Sequence, residues 1–188
     1  MKKMLEIRLH GRGGQGSVTA AELIAVAAFY DGKYAQAFPN FGVERRGAPV
    51  MAFARIATDP IRLREQIYQP DYIIIQDATL VTPDSSVLIG AGKAHGILID
   101  SEKSDWPEIK NKNVVNVPAT KIALDVIGKP FINTVLIGAF AALSSAISLE
   151  SVAKAIEEKF NSKSSEIAKL NVLAMQQAYE FVKKRNSL

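Results

Sequence analysis

The stretch LEIRLHGRGGQGSVTAAELIAVAAFYDG, residues 5–32, decides the fold class. Leu5, Ile7 and Leu9 alternate with Glu6, Arg8 and His10, the period of a strand. Gly11-Arg12-Gly13-Gly14-Gln15-Gly16 follows, and then an Ala- and Leu-rich run, 17–30, suits a helix. Asp31-Gly32 ends that helix, because glycine accepts a left-handed conformation. The glycine cluster satisfies G-x-G-x-x-G between a strand and a helix, the context that gives the pattern meaning. Glycines let the backbone turn tightly and approach a ligand closely. The N–H groups of the helix's first turn then favour an anion, and Arg12 adds a fork of donors suited to phosphate.

Three readings of the cluster stand side by side. A dinucleotide site needs an acid at the end of the second strand to hold the ribose. The second strand, 34–38, ends in Phe38-Pro39, and Asp31 lies in the turn before it, so a nicotinamide dinucleotide is disfavoured. A phosphate or pyrophosphate could instead rest on the helix without any ribose acid. The third reading is a tight turn with no ligand.

Working outward, strands are expected at 50–56, 72–76, 86–89, 97–100 and 114–117, with a short helix at 62–68. Helices are expected at 118–127, 133–147, 149–160 and 165–184. The apolar stripe of the last is read as Ile167, Leu170, Leu173, Ala174 and Ala178. Strands alternating with helices predict an α/β fold, a three-layer αβα sandwich on a mostly parallel or mixed sheet. One domain over 1–188 is expected, with no internal repeat.

The absence of cysteine excludes disulfides, a thiol nucleophile and cysteine-held iron–sulfur clusters within this chain. Two histidines make a His-rich metal site unexpected. A net charge of +4 without a basic stripe does not call for nucleic acid. The run 131–149 contains Asn133, Thr134 and three serines, so it reads as a helix buried between protein layers and not as a membrane span. A cytoplasmic chain is expected.

The second unusual segment is the loop 38–49, FPNFGVERRGAP, with Glu44, Arg45 and Arg46 between two glycines. It reads either as a solvated turn or as an anion or subunit contact beside Arg12, with Phe38 and Phe41 as anchors or plain core. Among the remaining residues, His10 is expected to be packed or hydrogen-bonded and His95 solvated. Asp77, Asp100, Asn133 and Thr134 each suit a cap or a ligand contact, and Trp106 a local anchor. Lys183-Lys184-Arg185 suits the negative end of the last helix.

The segments EIRLHGRGGQG (6–16), QAFPNFGVERRGAPVMAFARI (36–56), PDYIIIQDATL (70–80) and NTVLIGA (133–139) together resemble the gamma subunit of the pyruvate:ferredoxin oxidoreductases. The resemblance implies a place in a multi-subunit enzyme that converts a 2-oxoacid, pyruvate by the GVERRGAP form of the loop, and coenzyme A to acyl-CoA, CO2 and reduced ferredoxin. Thiamine diphosphate, magnesium and iron–sulfur clusters would then belong to partner subunits of alpha, beta and delta type. The chain itself would be non-catalytic and would help bind coenzyme A. Gly11, Gly13, Gly14 and Gly16 would form the backbone cradle, Arg12 would pair with a coenzyme A phosphate, and Gln15 would hydrogen-bond the same group or the pantetheine arm, with Arg45 and Arg46 as a ligand or subunit contact. The competing readings are a free-standing NAD- or flavin-dependent oxidoreductase and a purely structural assembly subunit. Self-association of the isolated chain is left open.

Overall fold

The computed structural model describes residues 4–40, 46–103, 105–111, 113–162 and 164–186. Six strands form one mixed sheet: β1 (Met4–Arg12), β2 (Tyr34–Pro39), β3 (Pro49–Ala57), β4 (Tyr72–Ile75), β5 (Gly96–Asp100) and β6 (Val114–Val117), in the order β2-β3-β1-β4-β5-β6. β1, β4, β5 and β6 run parallel, while β3 is antiparallel to both β1 and β2. Among the described residues the α-helices are α1 (Ser17–Tyr30), α2 (Ala119–Ile127), α3 (Ile132–Ser144), α4 (Leu149–Asn161) and α5 (Ser165–Asn186). No helix among the described residues is long and apolar enough to cross a membrane.

Strand alternation divides the core in two. Ile7, Leu9, Ala52, Ala54, Ile74, Leu98 and Val115 pack under the α-helices. Ile73, Ile75, Ile97 and Ile99 face a thinner layer with Val87, Trp106 and Ile109, built from short 3₁₀ turns at Ala78–Leu80, Ser86–Leu88 and Ala91–Lys93. This is the expected α/β architecture, with its second outer layer made of turns.

α3 is apolar on nearly all sides because it lies among the sheet, α4 and α5. Its Gly138 permits the crossing with α5: a Cβ there would stand 2.1 Å from the Met175 carbonyl oxygen. So close an approach also resets the buried stripe of α5. Ala168, Asn171, Ala174, Met175, Ala178 and Val182 are buried, whereas the expected Ile167 and Leu173 are 38% and 46% exposed. Asn171 sits in the seam, where its Oδ1 accepts from Thr134 Oγ at 2.9 Å and its Nδ2 donates to Ile167 O. Thr134 is thus a seam residue and not the helix cap or ligand contact considered for it.

Two expected elements are absent, for one reason. Residues 62–68 form no helix, and 86–89 form a 3₁₀ turn and not a strand. Arg55 is fully buried, and its Nη2 donates to Glu65 O at 2.6 Å. Arg8 is 2% exposed and donates to the carbonyls of Ile67, Val87 and Ile89. Carbonyls engaged by buried guanidinium groups are not available to a helix or a ladder, and a buried cation left without acceptors is costly. α3 also ends earlier than expected, at Ser144, with Ser145 in the left-handed conformation at φ 52°.

Candidate functional site

β1 leads through α1 to β2 on one side of it, while β4 leads to β5 on the other. The carboxyl ends of β1 and β4 therefore flank a topological switch point, where open α/β sheets form a ligand crevice. The glycine segment lies there.

Gly11 and Arg12 still belong to β1, pairing with Val50 and Pro49, so the turn itself is 13–16. Gly11 serves close packing: a Cβ would lie 2.6 Å from both Gln76 Oε1 and Ser17 Oγ. Those two side chains hydrogen-bond each other, which ties the start of α1 to the end of β4. Gly14 and Gly16 take positive φ of 98° and 77°, as a turn into a helix start requires. Gln15 Oε1 accepts from Arg12 N at 2.7 Å, so this side chain closes the turn on itself. The first α1 bond of this start runs from Ala20 N to Gly16 O; within the turn Gly13 N and Gln15 N are taken by Ala48 O and Arg12 O, so the N–H groups of Gly14 and Gly16 are the ones without a protein acceptor among the described residues.

The arginine loop meets the glycine turn. Gly13 N donates to Ala48 O at 2.9 Å, Gly47 N donates to Gly13 O at 3.1 Å, and Arg46 pairs with Gly13 as an isolated bridge. Arg46 is exposed. Arg45, together with Phe41 and Glu44, lies outside the described residues. Phe38 packs on Phe53, with ring centroids 5.0 Å apart and the Arg55 guanidinium over its face.

Arg12 is held on three sides. Its Nε donates to Asp77 Oδ2 at 2.7 Å, Nη2 to Thr79 Oγ at 2.8 Å and Nη1 to Gly47 O at 3.2 Å. Asp77 also caps the 3₁₀ turn after β4 by accepting from Thr79 N. Burial works against the Asp77 carboxylate, but the bonds from Thr79 and Arg12 and the Arg12 charge outweigh it and hold its pKa below the ordinary value. Arg12 therefore clamps the glycine turn, the arginine loop and the β4 turn together.

Beside the turn, on the helix side of the sheet, is a cavity of about 460 Å³ lined by Gly14, Gly16, Lys129, Phe131, Asn133 and Lys159 among others. Asn133 packs on Gly16, whose Cβ would meet its Nδ2 at 3.0 Å. Lys129 and Phe131 are exposed, with the ammonium 5.9 Å from the ring centroid. Lys159 pairs with Glu22 at 2.9 Å on the surface. Lys129, Phe131 and Lys159 escape sequence reasoning because they reach the turn from the α2–α3 connection and from α4, far along the chain from it, and no local pattern marks them.

The other candidates have structural partners. Asp31 reaches away from the turn and accepts from Ser148 N, Ser148 Oγ and Ser151 Oγ, bracing Ser148, the N-cap of α4. That removes the only acid whose spacing suited a dinucleotide ribose. Asp100 accepts from Thr120 N and Thr120 Oγ at the start of α2, and burial raises its pKa. Trp106 donates to Asn116 Oδ1 under Lys103. His95 is largely exposed, edge-on to Tyr72.

The profile of the family described as pyruvate ferredoxin/flavodoxin oxidoreductase matches residues 6–181. The chain belongs to that family. Within it, its relatives are gamma-type subunits. It is 52% identical to the pyruvate synthase subunit PorC of Methanocaldococcus jannaschii, over 96% of this chain and 99% of that one. It is 56% identical to the PorC of Methanosarcina barkeri, over 81% and 85%. The gamma subunit common to the pyruvate and ketoisovalerate oxidoreductases of Pyrococcus furiosus is 46% identical over 94% and 96%. The crystal structure of the pyruvate oxidoreductase subunit PORC of Thermotoga maritima superposes with a TM-score of 0.82 at 34% identity, covering 95% of this chain and 97% of that one. A 2-oxoglutarate:ferredoxin oxidoreductase of Magnetococcus marinus, solved with 2-oxoglutarate, coenzyme A and succinyl-CoA bound, matches with a TM-score of 0.77. That match covers 98% of this chain and 32% of the longer one and, at 20% identity, shows a shared fold. This family member is thus a gamma-type subunit of a multi-subunit 2-oxoacid oxidoreductase.

Proposed function

We propose that this chain, as one gamma domain over residues 1–188, binds and positions coenzyme A for a pyruvate-type 2-oxoacid:ferredoxin oxidoreductase and helps hold the complex together. The observation that carries the reading is the coincidence of a glycine-lined helix start at the switch point, with the Gly14 and Gly16 N–H groups unpaired among the described residues, and a cavity bearing two lysines and an exposed aromatic ring. The backbone N–H groups of Gly14 and Gly16 would donate to a phosphate, where the α1 dipole favours negative charge, while Gly13 and Gln15, bonded to Ala48 O and Arg12 O, hold the turn's shape. Lys129 and Lys159 supply positive charge beside it, and Phe131 offers a face on which a base can stack. Arg12 has its donors engaged by Asp77, Thr79 and Gly47, so its part is to fix the cradle's shape. Gly11 lets β1, α1 and β4 close under it.

Thiamine diphosphate with magnesium, in partner subunits, would supply the chemistry that cleaves the 2-oxoacid, and iron–sulfur clusters there would pass electrons to ferredoxin. With no cysteine, this chain has no thiolate to ligate a cluster. Its contribution is orientation: holding one reactant in place can lower a barrier by up to about 7–11 kcal/mol in favourable cases. Phe29, Tyr68 and Ile89 are 71%, 63% and 55% exposed, apolar surface suited to subunit contacts in a cytoplasmic complex. Arg45 and Arg46 would serve such a contact or the ligand.

Calorimetric titration of coenzyme A into the full chain and into the reconstituted complex tests the reading. Binding that weakens about tenfold or more in Lys129→Ala, and that pantetheine lacking the nucleotide fails to reproduce, is expected. Equal affinity of wild type and Lys129→Ala in the complex would remove this cavity from the coenzyme A site. No binding to either preparation would leave the structural assembly role as the better account.

A further inference from the structure

The polar face of β1 carries a buried cation without a counter-ion. The Arg8 guanidinium is bonded by the carbonyls of Ile67, Val87 and Ile89, and its Nε donates to His10 Nε2 at 2.8 Å. No carboxylate pairs with it among the described residues. Burial lowers its pKa to about 10, which leaves it charged at neutral pH.

An arginine nitrogen only donates, so Nε2 of His10 must be the bare acceptor of a neutral ring, and the ring's hydrogen sits on Nδ1. Burial, followed by the Arg8 charge, lowers the ring's pKa to about 3, in keeping with that tautomer. His10 is 3% exposed, and Nδ1 makes no hydrogen bond among the described residues. The ring lines a cavity of about 490 Å³ on the turn side of the sheet, opposite α1. Thr82 and Ser86 bring hydroxyls to the same space, and Val50, Met51 and Leu80 bring apolar wall.

We propose that this cavity binds the carboxylate of a small organic acid with a short apolar body. One carboxylate oxygen accepts from His10 Nδ1–H, and the hydroxyls of Thr82 and Ser86 serve the other. The carbon chain lies against Val50, Met51 and Leu80. The anion then becomes the missing partner of Arg8, relayed through the imidazole, and such charge-assisted bonds are stronger than neutral ones. The site is independent of the glycine cradle, which lies on the helix side of the sheet.

Butyrate is a suitable probe, with butyramide as its neutral counterpart. With only two histidines in the chain, imidazole nitrogen resonances of the ¹⁵N-labelled full chain are assigned by a single His95→Gln variant. Butyrate is expected to shift the His10 Nδ1 resonance saturably, with butyramide binding at least about tenfold more weakly, a difference of about 1.4 kcal/mol. Met51→Trp, which fills the cavity and leaves the Arg8–His10 bond in place, is expected to abolish the shift. Equal affinities for the two probes, a shift that survives Met51→Trp, or no saturable shift in a chain whose His10 resonances report an intact ring environment would each overturn the proposal.

Discussion

Arg12 Nε and Asp77 Oδ2 lie 2.7 Å apart, joining the end of β1 to the turn that follows β4 across the switch point. Arg12 is about one-third exposed and Asp77 about one-fifth, so the pair is more than a solvated surface contact. The folded Asp77 pKa lies below its unfolded value. Its contribution is therefore fully present above the ordinary carboxylate range and is lost as pH falls through the folded pKa. Urea melts of wild type and Asp77→Asn against pH should differ most near neutrality and converge in acid. A difference that persists unchanged in acid would mean that the charge is not what matters.

Gly138 against Met175 sets the depth at which α5 settles on α3. A methyl at Gly138 would overlap the Met175 carbonyl, which is backbone and cannot step aside. Gly138→Ala should destabilise the fold by about 1–3 kcal/mol, the usual range for overpacking, or more if the helices must part. Chemical denaturation measures this directly. Gly32→Ala, where a Cβ meets nothing within 4 Å, should cost only the strain of its left-handed backbone, about 1–2 kcal/mol.

Asp31 closes α1 through its backbone N–H, which donates to Ala27 O, and its carboxylate braces the start of α4 by accepting from Ser148 and Ser151. Burial opposes its ionisation, but the bonds from Ser148 and Ser151, with Lys33 nearby, outweigh that and lower its pKa. Asp31→Ala removes three acceptor contacts at once and should cost about 1–2 kcal/mol, read from the denaturation midpoint. Coenzyme A affinity should not change, because the residue points away from the glycine turn. A matching loss of affinity would reopen a ribose-holding role.

His10 makes a separate pH prediction. Its folded pKa is depressed to about 3 from an ordinary value of 6.5, so the folded ring is neutral while the unfolded ring takes up a proton in mild acid. Stability should therefore fall as pH drops from about 6.5 towards 3, and His10→Phe should flatten that part of the profile. Melts over this range, compared between wild type and variant, provide the check. An unchanged slope would show that the ring is protonated in the fold.

The strand–turn–helix at the start of the chain is legible in sequence because local rules write it. Period-two alternation marks β1, glycine marks the turn, and Ala and Leu propensity marks α1, which spans the expected residues Ser17–Tyr30. The same rules find β4, β5 and β6 and the four later helices to within a few residues. The glycine turn could be located in the same way, and its place beside the arginine loop agrees with the pairing of Gly13 with Arg46.

What the sequence by itself determined was the order and type of elements whose signals lie within about ten residues of one another, along with the family that those segments spell. Tertiary structure alone decided that Arg8 and Arg55, which alternate along their strands like solvent-facing residues, would be buried. Their need for carbonyl acceptors turned 62–68 and 86–89 away from helix and strand, because a desolvated guanidinium outweighs local propensity. Tertiary structure alone also placed Lys129, Phe131 and Lys159 beside the glycine turn, and set the stripe of α5 by how closely Gly138 lets it approach. Each of these depends on distances between residues far apart in the chain, which periodicity and propensity do not encode.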